Sequence, residues 1–418
     1  MIGFHPLAVI FLLAIVFNLI LAIAVPRVDW DSAGEIPHIA ASIATGRGFS
    51  SPFRVPTGPS VWAPPIYPYL LAGIFRVFGV FTVASYWAAV AFNLIVHGFA
   101  CVLLYCAAGE AFGRLAGWCA AIALASFPLL FEPLVLLHVL GGYLGQGLFI
   151  PPNLTWATHL SELAIILLVW LILRRTHWAA YGVAWGAAAL INAGILAMLP
   201  AFLAWQLYHR ESWRRLTLAG ATAALCVAPW LARNYVVFHQ PVFIRDGFGI
   251  ELRDGNQPGH RGLWDGDVHP DRNPYELRRL AELGEIEFDR EARQQAMASI
   301  RARPGEFLYN TLLRIGYFWI GTPLSSRSLG VFRFLKYTPP LVFSLMAFCG
   351  IGLAVKNGNQ KALLFAAVLF FYPLVYYITD TFSGFNYQYA IQPEMLALAT
   401  SVVIRNGTAG PVESLPAT

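Results

Sequence analysis

Charge is what this chain has least of. Lys, Arg, Asp and Glu together make up 12% of its 418 residues, about half the ~25% of an ordinary soluble domain. A globule of this size with so little charge would not stay in water, so a soluble enzyme is excluded. Basic clusters are missing as well. The net charge is +5, but no Lys/Arg run forms a nucleic-acid footprint, and nucleic acid is excluded as a partner. The cysteines Cys101, Cys106, Cys119, Cys226 and Cys349 all fall in hydrophobic runs, none at metal-ligand spacing. They read as small buried apolar residues rather than redox centres or zinc ligands. The sequence also lacks the inverted internal repeat of many transporters.

Hydrophobic residues are abundant. They fill 57% of the chain, and the mean hydropathy is +0.59. The 30 Phe, 17 Tyr and 13 Trp suit aromatic belts at a membrane interface. A helix needs about 20 apolar residues to cross a bilayer. Runs of that kind cover 7–25, 84–107, 115–131, 155–173, 216–235, 337–355, 362–379 and 388–404. The first has no basic leader, and Ala22-Ile-Ala24 is followed by Val-Pro, so it is predicted to be a retained transmembrane helix and not a cleaved signal. The run 178–208 is too long for one span and is interrupted at Asn192-Ala-Gly194. Arg174, Arg175, Arg210, Arg214 and Arg215 flank both of its ends. Short basic loops belong on the cytoplasmic side, so this run is predicted to go out and return as two short helices. Arg114, Lys356, Lys361 and Arg405 then also fall inside.

The expected architecture is therefore an all-α polytopic membrane protein with about ten transmembrane helices and both termini cytoplasmic. Residues 1–404 form the membrane-embedded domain, and 405–418 are a polar, disordered cytoplasmic tail. The outer side holds a first loop over 26–83, a loop over 132–154, a small soluble segment over 236–306 and a short loop over 380–387. Residues 307–323 would break the alternation if they spanned, and are expected to lie as an interfacial amphipathic helix.

The first outer loop is unusual for its position, since Asp29, Asp31, Glu35 and His38 sit beside apolar runs, where ionisable groups are functional by default. Ile36, Ile39, Ala40, Ile43 and Ala44 follow helical spacing, with Asp31, Glu35, His38, Ser42 and Thr45 on the opposite stripe. This predicts an interfacial helix starting close to Pro37 and ending at Gly46, polar face to the water. Structural readings stand beside the functional ones. Ser32-Ala-Gly-Glu35 fits a capping box, Asp29 or Asp31 fits an N-cap, and His38 fits a solvated surface histidine. Further on, Trp62-Ala-Pro-Pro-Ile-Tyr-Pro-Tyr69 makes a stiff turn leading to a second interfacial helix over roughly 66–79.

These features together resemble the class C glycosyltransferases, in particular the family 39 branch with its protein O-mannosyltransferases and lipid A aminoarabinose transferases. The resemblance rests on Asp31 after the first span with Gly46 following it, on the Pro64-Pro65 turn before an interfacial helix, and on Pro229-Trp-Leu-Ala-Arg233-Asn234. It extends to FGIELRDGN (248–256) and YPLVYYITDTFSGFNYQYAIQPE (372–394). Two positions depart from it. Ala63 stands where a cation often precedes the proline turn, and Asn386-Tyr-Gln388 where an arginine is common near the last outer loop.

The resemblance implies a sugar transferase at the outer face of the plasma membrane, a bacterial inner membrane. Its donor would be a polyprenyl-phosphate-linked sugar, so the membrane lipid is the implied partner, and the acceptor is left open. Asp31 falls on the catalytic base, with Glu35 one helical turn away as the alternative. Arg233, beside Asn234, is the first candidate for the lipid phosphate, because a planar guanidinium suits phosphate; interfacial anchoring is its other reading. Arg47 and Arg54 are weaker candidates. Trp62, Tyr67 and Tyr69 are candidates for packing on sugar or lipid, and Asn386 and Gln388 for substrate contact. No cofactor is implied and no metal is expected. His260, Asp265, Asp267, His269 and Asp271 in HRGLWDGDVHPD read first as turn residues, and 275–302 as a charged solvated helix. A lipid-linked oligosaccharide polymerase, ligase or flippase is the competing function, and a secondary transporter the next. A transporter would need charged sites near the bilayer midplane, whereas Glu110, Glu132 and Glu162 fall near predicted span ends.

Overall fold

The computed structural model describes residues 5–24, 30, 34–127, 157–323, 330–379 and 386–404. Asp29, Asp31, Ser32, the 132–154 loop and the 405–418 tail lie outside the described residues. Among those described, the regular structure is helical, apart from one isolated antiparallel bridge between Ser50 and Pro59.

Helix α1 is Pro6–Ala24. The first loop carries α2 (Glu35–Ala44) and α3 (Ile66–Phe78), which pack on each other. Helix α4 (Val83–Phe112) starts at a capping box in which Thr82 Oγ1 accepts from the Ser85 amide at 3.0 Å. It is followed by α5 (Arg114–Ser126) and α6 (Thr158–Leu173). The long apolar run does break in two. Helix α7 (Trp178–Ile191) stops at Asn192, a 3₁₀ turn covers Ala193–Met198, and α8 (Leu199–Tyr208) completes the return. Helix α9 (Trp213–Phe238) leads to the 236–306 segment, which holds α10 (Phe248–Asp254), α11 (Pro274–Leu283) and α12 (Glu285–Ala302). Then come α13 (Pro304–Ile320), α14 (Gly330–Lys356), α15 (Ala362–Phe371), α16 (Leu374–Ile378), α17 (Asn386–Tyr389) and α18 (Gln392–Val403).

Each expected span thus has a helix. Pro6–Ala24, Val83–Phe112, Trp213–Phe238 and Phe334–Lys356 are long and apolar enough to cross a membrane, those for 115–131, 155–173, 178–208 and 362–379 are shorter apolar helices, and 388–404 holds the 12-residue helix Gln392–Val403. The charged stretch 275–302 is two helices rather than one. Gly284 separates them at φ +77, a left-handed conformation that glycine adopts without the strain of a side chain. Residues 307–320 are helical, within α13, which packs on α14 and α12, and 321–323 follow it without helical structure.

The helices assemble around two apolar cores. One lies within the bundle and joins α4, α5, α6, α15 and α18. The other unites the first loop with α9 and the 236–306 segment through Trp30, Ile39, Phe49, Trp62, Trp230, Ile250 and Phe288. Glu110, Arg174 and Lys361 meet at the opposite end of the bundle, bringing the ends of α4 and α6 and the start of α15 together. That agrees with the common side the charge pattern assigns to Arg174 and Lys361.

Small residues let the bundle helices approach closely, the usual substitute for hydrophobic pressure inside a bilayer. A Cβ on Gly350 of α14 would fall 2.2 Å from the Leu398 carbonyl oxygen of α18, whereas one on Gly352 would meet open space. Gly350→Ala is therefore expected to destabilise the protein by about 1–3 kcal/mol through overpacking. Gly352→Ala should leave stability unchanged or slightly raised, and thermal unfolding of the two variants in detergent checks the difference.

Candidate functional site

The first loop and the 236–306 segment meet at Glu35, and Arg245 links them electrostatically to tyrosines of α16 and α17. Glu35 opens α2, and its side chain keeps 20% of its surface exposed. Its Oε1 lies 3.9 Å from His269 Nε2. Burial, reinforced by the negative charges of Asp271 and Glu251 and opposed by Arg245, raises its carboxyl to about 7. His269 packs edge-on against Phe53, Trp62 and Trp264. Burial and the nearby Arg253 and Arg272 lower its imidazole to about 3, so it stays neutral and offers hydrogen bonds, not charge.

Arg245 is the cation within electrostatic reach of Glu35. Its Nη2 donates to Glu251 Oε1 at 3.0 Å and its Nε to the Asp246 carbonyl at 3.1 Å. It lies within electrostatic reach of Tyr376 and Tyr387, whose rings stack 4.1 Å apart. The polar chain continues into the bundle. Tyr376 and Tyr372 hydroxyls are 3.1 Å apart, and Asn192 Nδ2 donates to Tyr372 at 3.2 Å and to Ser161 Oγ at 3.3 Å. The break at Asn192 therefore lets polar groups of three helices meet where unbroken helices would present only apolar faces.

A buried and a half-buried arginine, Arg253 and Arg233, hold the surrounding walls. Arg253 bonds Asp254 and Glu276 and also reaches the Val268 carbonyl. Arg233 donates to the Ser60 and Phe49 carbonyls at 2.8 and 2.9 Å and to Asn234 Oδ1 at 3.0 Å, while its guanidinium covers Trp230. Asn234 in turn donates to the Phe243 carbonyl at 2.8 Å. Both residues thus tie the first loop and the 236–306 segment to the end of α9.

The other residues singled out from the sequence are dispersed. Asp31 lies outside the described residues. His38 is half-buried, edge-on to Phe81. Ser42, expected on the wet stripe of α2, is buried, because α3 and the loop cover that side of the helix. Arg47 and Arg54 are exposed, the former donating to Thr45 Oγ1. Trp62 is buried against Phe53. Tyr67 is buried with its hydroxyl accepting from Asn93 Nδ2 at 2.8 Å, whereas Tyr69 is exposed. Gln388 is buried beside Met395 Sδ, and Asn386 opens α17. Arg245, Glu251 and the tyrosine chain are missing from the sequence reading. The only signals for them were the IRDGFGIEL and YPLVYY stretches, which as text look like loop and span. A separate cavity of about 190 Å³ opens at the opposite end of the bundle, lined by Arg175, Trp205, His209 and Lys361, far in the fold from Glu35.

Among solved structures, the fold is similar to that of the Archaeoglobus fulgidus oligosaccharyltransferase in its apo form, at 16% identity and TM-score 0.50 over 96% of this chain. The chain spans about half the length of that enzyme, 51%. It also aligns with ArnT from Cupriavidus metallidurans bound to undecaprenyl phosphate, at 14% identity and TM-score 0.39, over 94% of this chain and 77% of that one. No family model matches the sequence, and no curated protein matches it. The chain thus shares with that oligosaccharyltransferase an all-α helical bundle fold.

The 236–306 segment carries its own pH dependence. Burial, then the charges of Asp289 and Glu285, raise the Asp246 carboxyl to about 8, and burial raises Glu285 to about 7. Both values lie above those of an unfolded chain, so the folded state holds these protons more tightly, and the stability they contribute is lost as pH rises through 7–8. Proteolysis of 246–302 is expected to be faster at pH 9 than at pH 6, and Asp246→Asn should flatten that difference.

Proposed function

We propose that this chain transfers a sugar from a polyprenyl-phosphate-linked donor to an acceptor hydroxyl or amine at the outer face of the membrane. The observation that carries the reading is Glu35, a carboxyl raised to about 7, within electrostatic reach of Arg245, which in turn lies within electrostatic reach of the tyrosines that begin the polar seam. The fold supports it by analogy only, since one fold hosts many activities. The chemistry supplies the rest. The acceptor oxygen or nitrogen forms a bond to the anomeric carbon while the bond from that carbon to the phosphate oxygen breaks. Glu35 takes the acceptor's proton, and a group poised near neutral pH is well matched to that task. Arg245 meets the negative charge gathering on the departing lipid phosphate, where a preoriented guanidinium acts most strongly. Stacked Tyr376 and Tyr387 form an amphipathic wall beside it, suited to a sugar face.

The resemblance in sequence favours Asp31 for the proton; Asp31 lies outside the described residues, and its alternative, Glu35, is taken here on the strength of the raised carboxyl and its surroundings. Arg245 replaces Arg233 in the phosphate role, because Arg233 spends its donors on main-chain oxygens.

With radiolabelled polyprenyl-phosphate sugars and purified protein, Glu35→Gln should lower kcat by about 10²–10⁴-fold, the range for loss of a general base. The wild-type rate should fall as pH drops below about 7, where Glu35 takes up its proton. Arg245→Ala should raise the donor KM. Full activity in Glu35→Gln with none in Asp31→Asn would assign the proton to Asp31; no label transfer from any such donor would sink the reading.

A further inference from the structure

A second cluster of ionisable groups lies inside the bundle, in a place where such groups are expensive. His97 of α4 and His159 of α6 each bring Nδ1 to 3.0 Å from Glu162 Oε2. All three side chains are almost fully buried, at 4%, 3% and 3% exposure. One ligand-capable atom from each lies within 4.8 Å of the others, and among the described residues no other His, Cys, Asp and Glu group does so. Cys101 Sγ stands 3.6 Å from His97 Nε2, one helical turn along α4.

Two further observations point to something missing from this list of partners. His159 Nε2 is buried and has no hydrogen-bond partner among the described residues. Glu394, on α18, is fully buried with neither carboxyl oxygen bonded, although it is close enough to Glu162 for their charges to interact. Helix α18 packs on both α4 and α6, so the four side chains come from three adjoining helices. A second carboxyl beside Glu162, unpaired in hydrocarbon, must either hold its proton or gain a counter-charge.

We propose that His97, His159 and Glu162 bind a divalent cation of the zinc class, with Glu394 as a neighbouring counter-charge. The charges balance: two neutral imidazoles, two carboxylates and one doubly charged ion sum to zero, which removes the penalty on Glu394. Two imidazoles with carboxylate oxygens make a borderline-to-hard ligand set that zinc accepts in tetrahedral geometry. Three protein ligands from α4 and α6, with the Glu394 carboxylate of the adjoining α18 attracted to the same charge, make the ion an internal clasp between α4, α6 and α18. Its place supports that role. Leu160 packs with Tyr67 and, at the rim, Ile36, next to Glu35, and Ser161 accepts from Asn192 at the foot of the tyrosine chain. The clasp would therefore hold the floor of the candidate site rigid. The proposal does not depend on the sugar-transfer reading.

The test is metal analysis of the full chain, purified in detergent with any affinity tag removed and no chelator present. The expected result is about one zinc per chain, as a buried site of this kind retains its ion, lost in His159→Ala and Glu162→Gln and kept in His260→Ala, which removes an exposed histidine elsewhere. Cobalt supplied in place of zinc should give the visible ligand-field bands of a tetrahedral ion. Wild-type protein that contains no stoichiometric metal and develops no cobalt bands overturns the proposal, as does metal retained in both cluster variants. Should those variants fail to accumulate, X-ray absorption of the wild type decides: a first shell with two imidazoles supports the site, and one without them rules it out.

Discussion

A single buried guanidinium holds the loop end of this protein together. Arg314 of α13 is fully buried and donates to the Gly255 carbonyl at 2.7 Å, to Asn256 Oδ1 at 3.0 Å and to the Tyr377 carbonyl at 2.8 Å. Asn256 reaches back to the Ile378 carbonyl at 3.2 Å. Three stretches far apart in sequence are thereby locked to one another, because a buried cation tolerates no loss of its acceptors. Arg233 does the same for the first loop. With both in place, Glu35 and Arg245, which lie on different segments, keep a defined separation. Arginine suits this work because its planar fork reaches several carbonyls at once.

Inside the bundle the same rule takes another form. Polar side chains there are paired across helices rather than left to lipid. Asn18 Nδ2 of α1 donates to the Ala125 carbonyl of α5 at 3.1 Å, and Asn192 joins α6 to α15. In a medium without water each such group must find its partner within the protein. The polar seam from Arg245 to Ser161 is thus built from satisfied groups, and it can lie in a membrane bundle without destabilising it. The cluster around Glu162 is one place where this accounting does not close among the described protein groups, which gives a cation a reason to be there.

Much of the fold was legible in the sequence. Composition set the membrane class, apolar runs located the helices, and flanking arginines correctly split 178–208 at Asn192. Boundaries inside the 236–306 segment were not legible. Gly284 divides α11 from α12, and in a charged stretch one glycine among good helix formers does not announce a break. The wet stripe assigned to α2 also proved incomplete, since Ser42 faces a neighbour that the helical period of α2 alone cannot reveal.

The candidate site divides along the same line. Sequence alone located an acidic group, Glu35, at the start of an amphipathic helix after the first apolar run, because local spacing and hydrophobic period are properties of neighbouring residues. Only the tertiary structure decided that Arg245 comes within electrostatic reach of Glu35, that Arg233 is spent on main-chain oxygens, and that Glu162 and Glu394 share the bundle interior. Those facts depend on which segments meet in space, and on how burial in a low dielectric moves a carboxyl toward neutrality. A charge printed in a sequence has no pKa and no partner until the chain has folded around it.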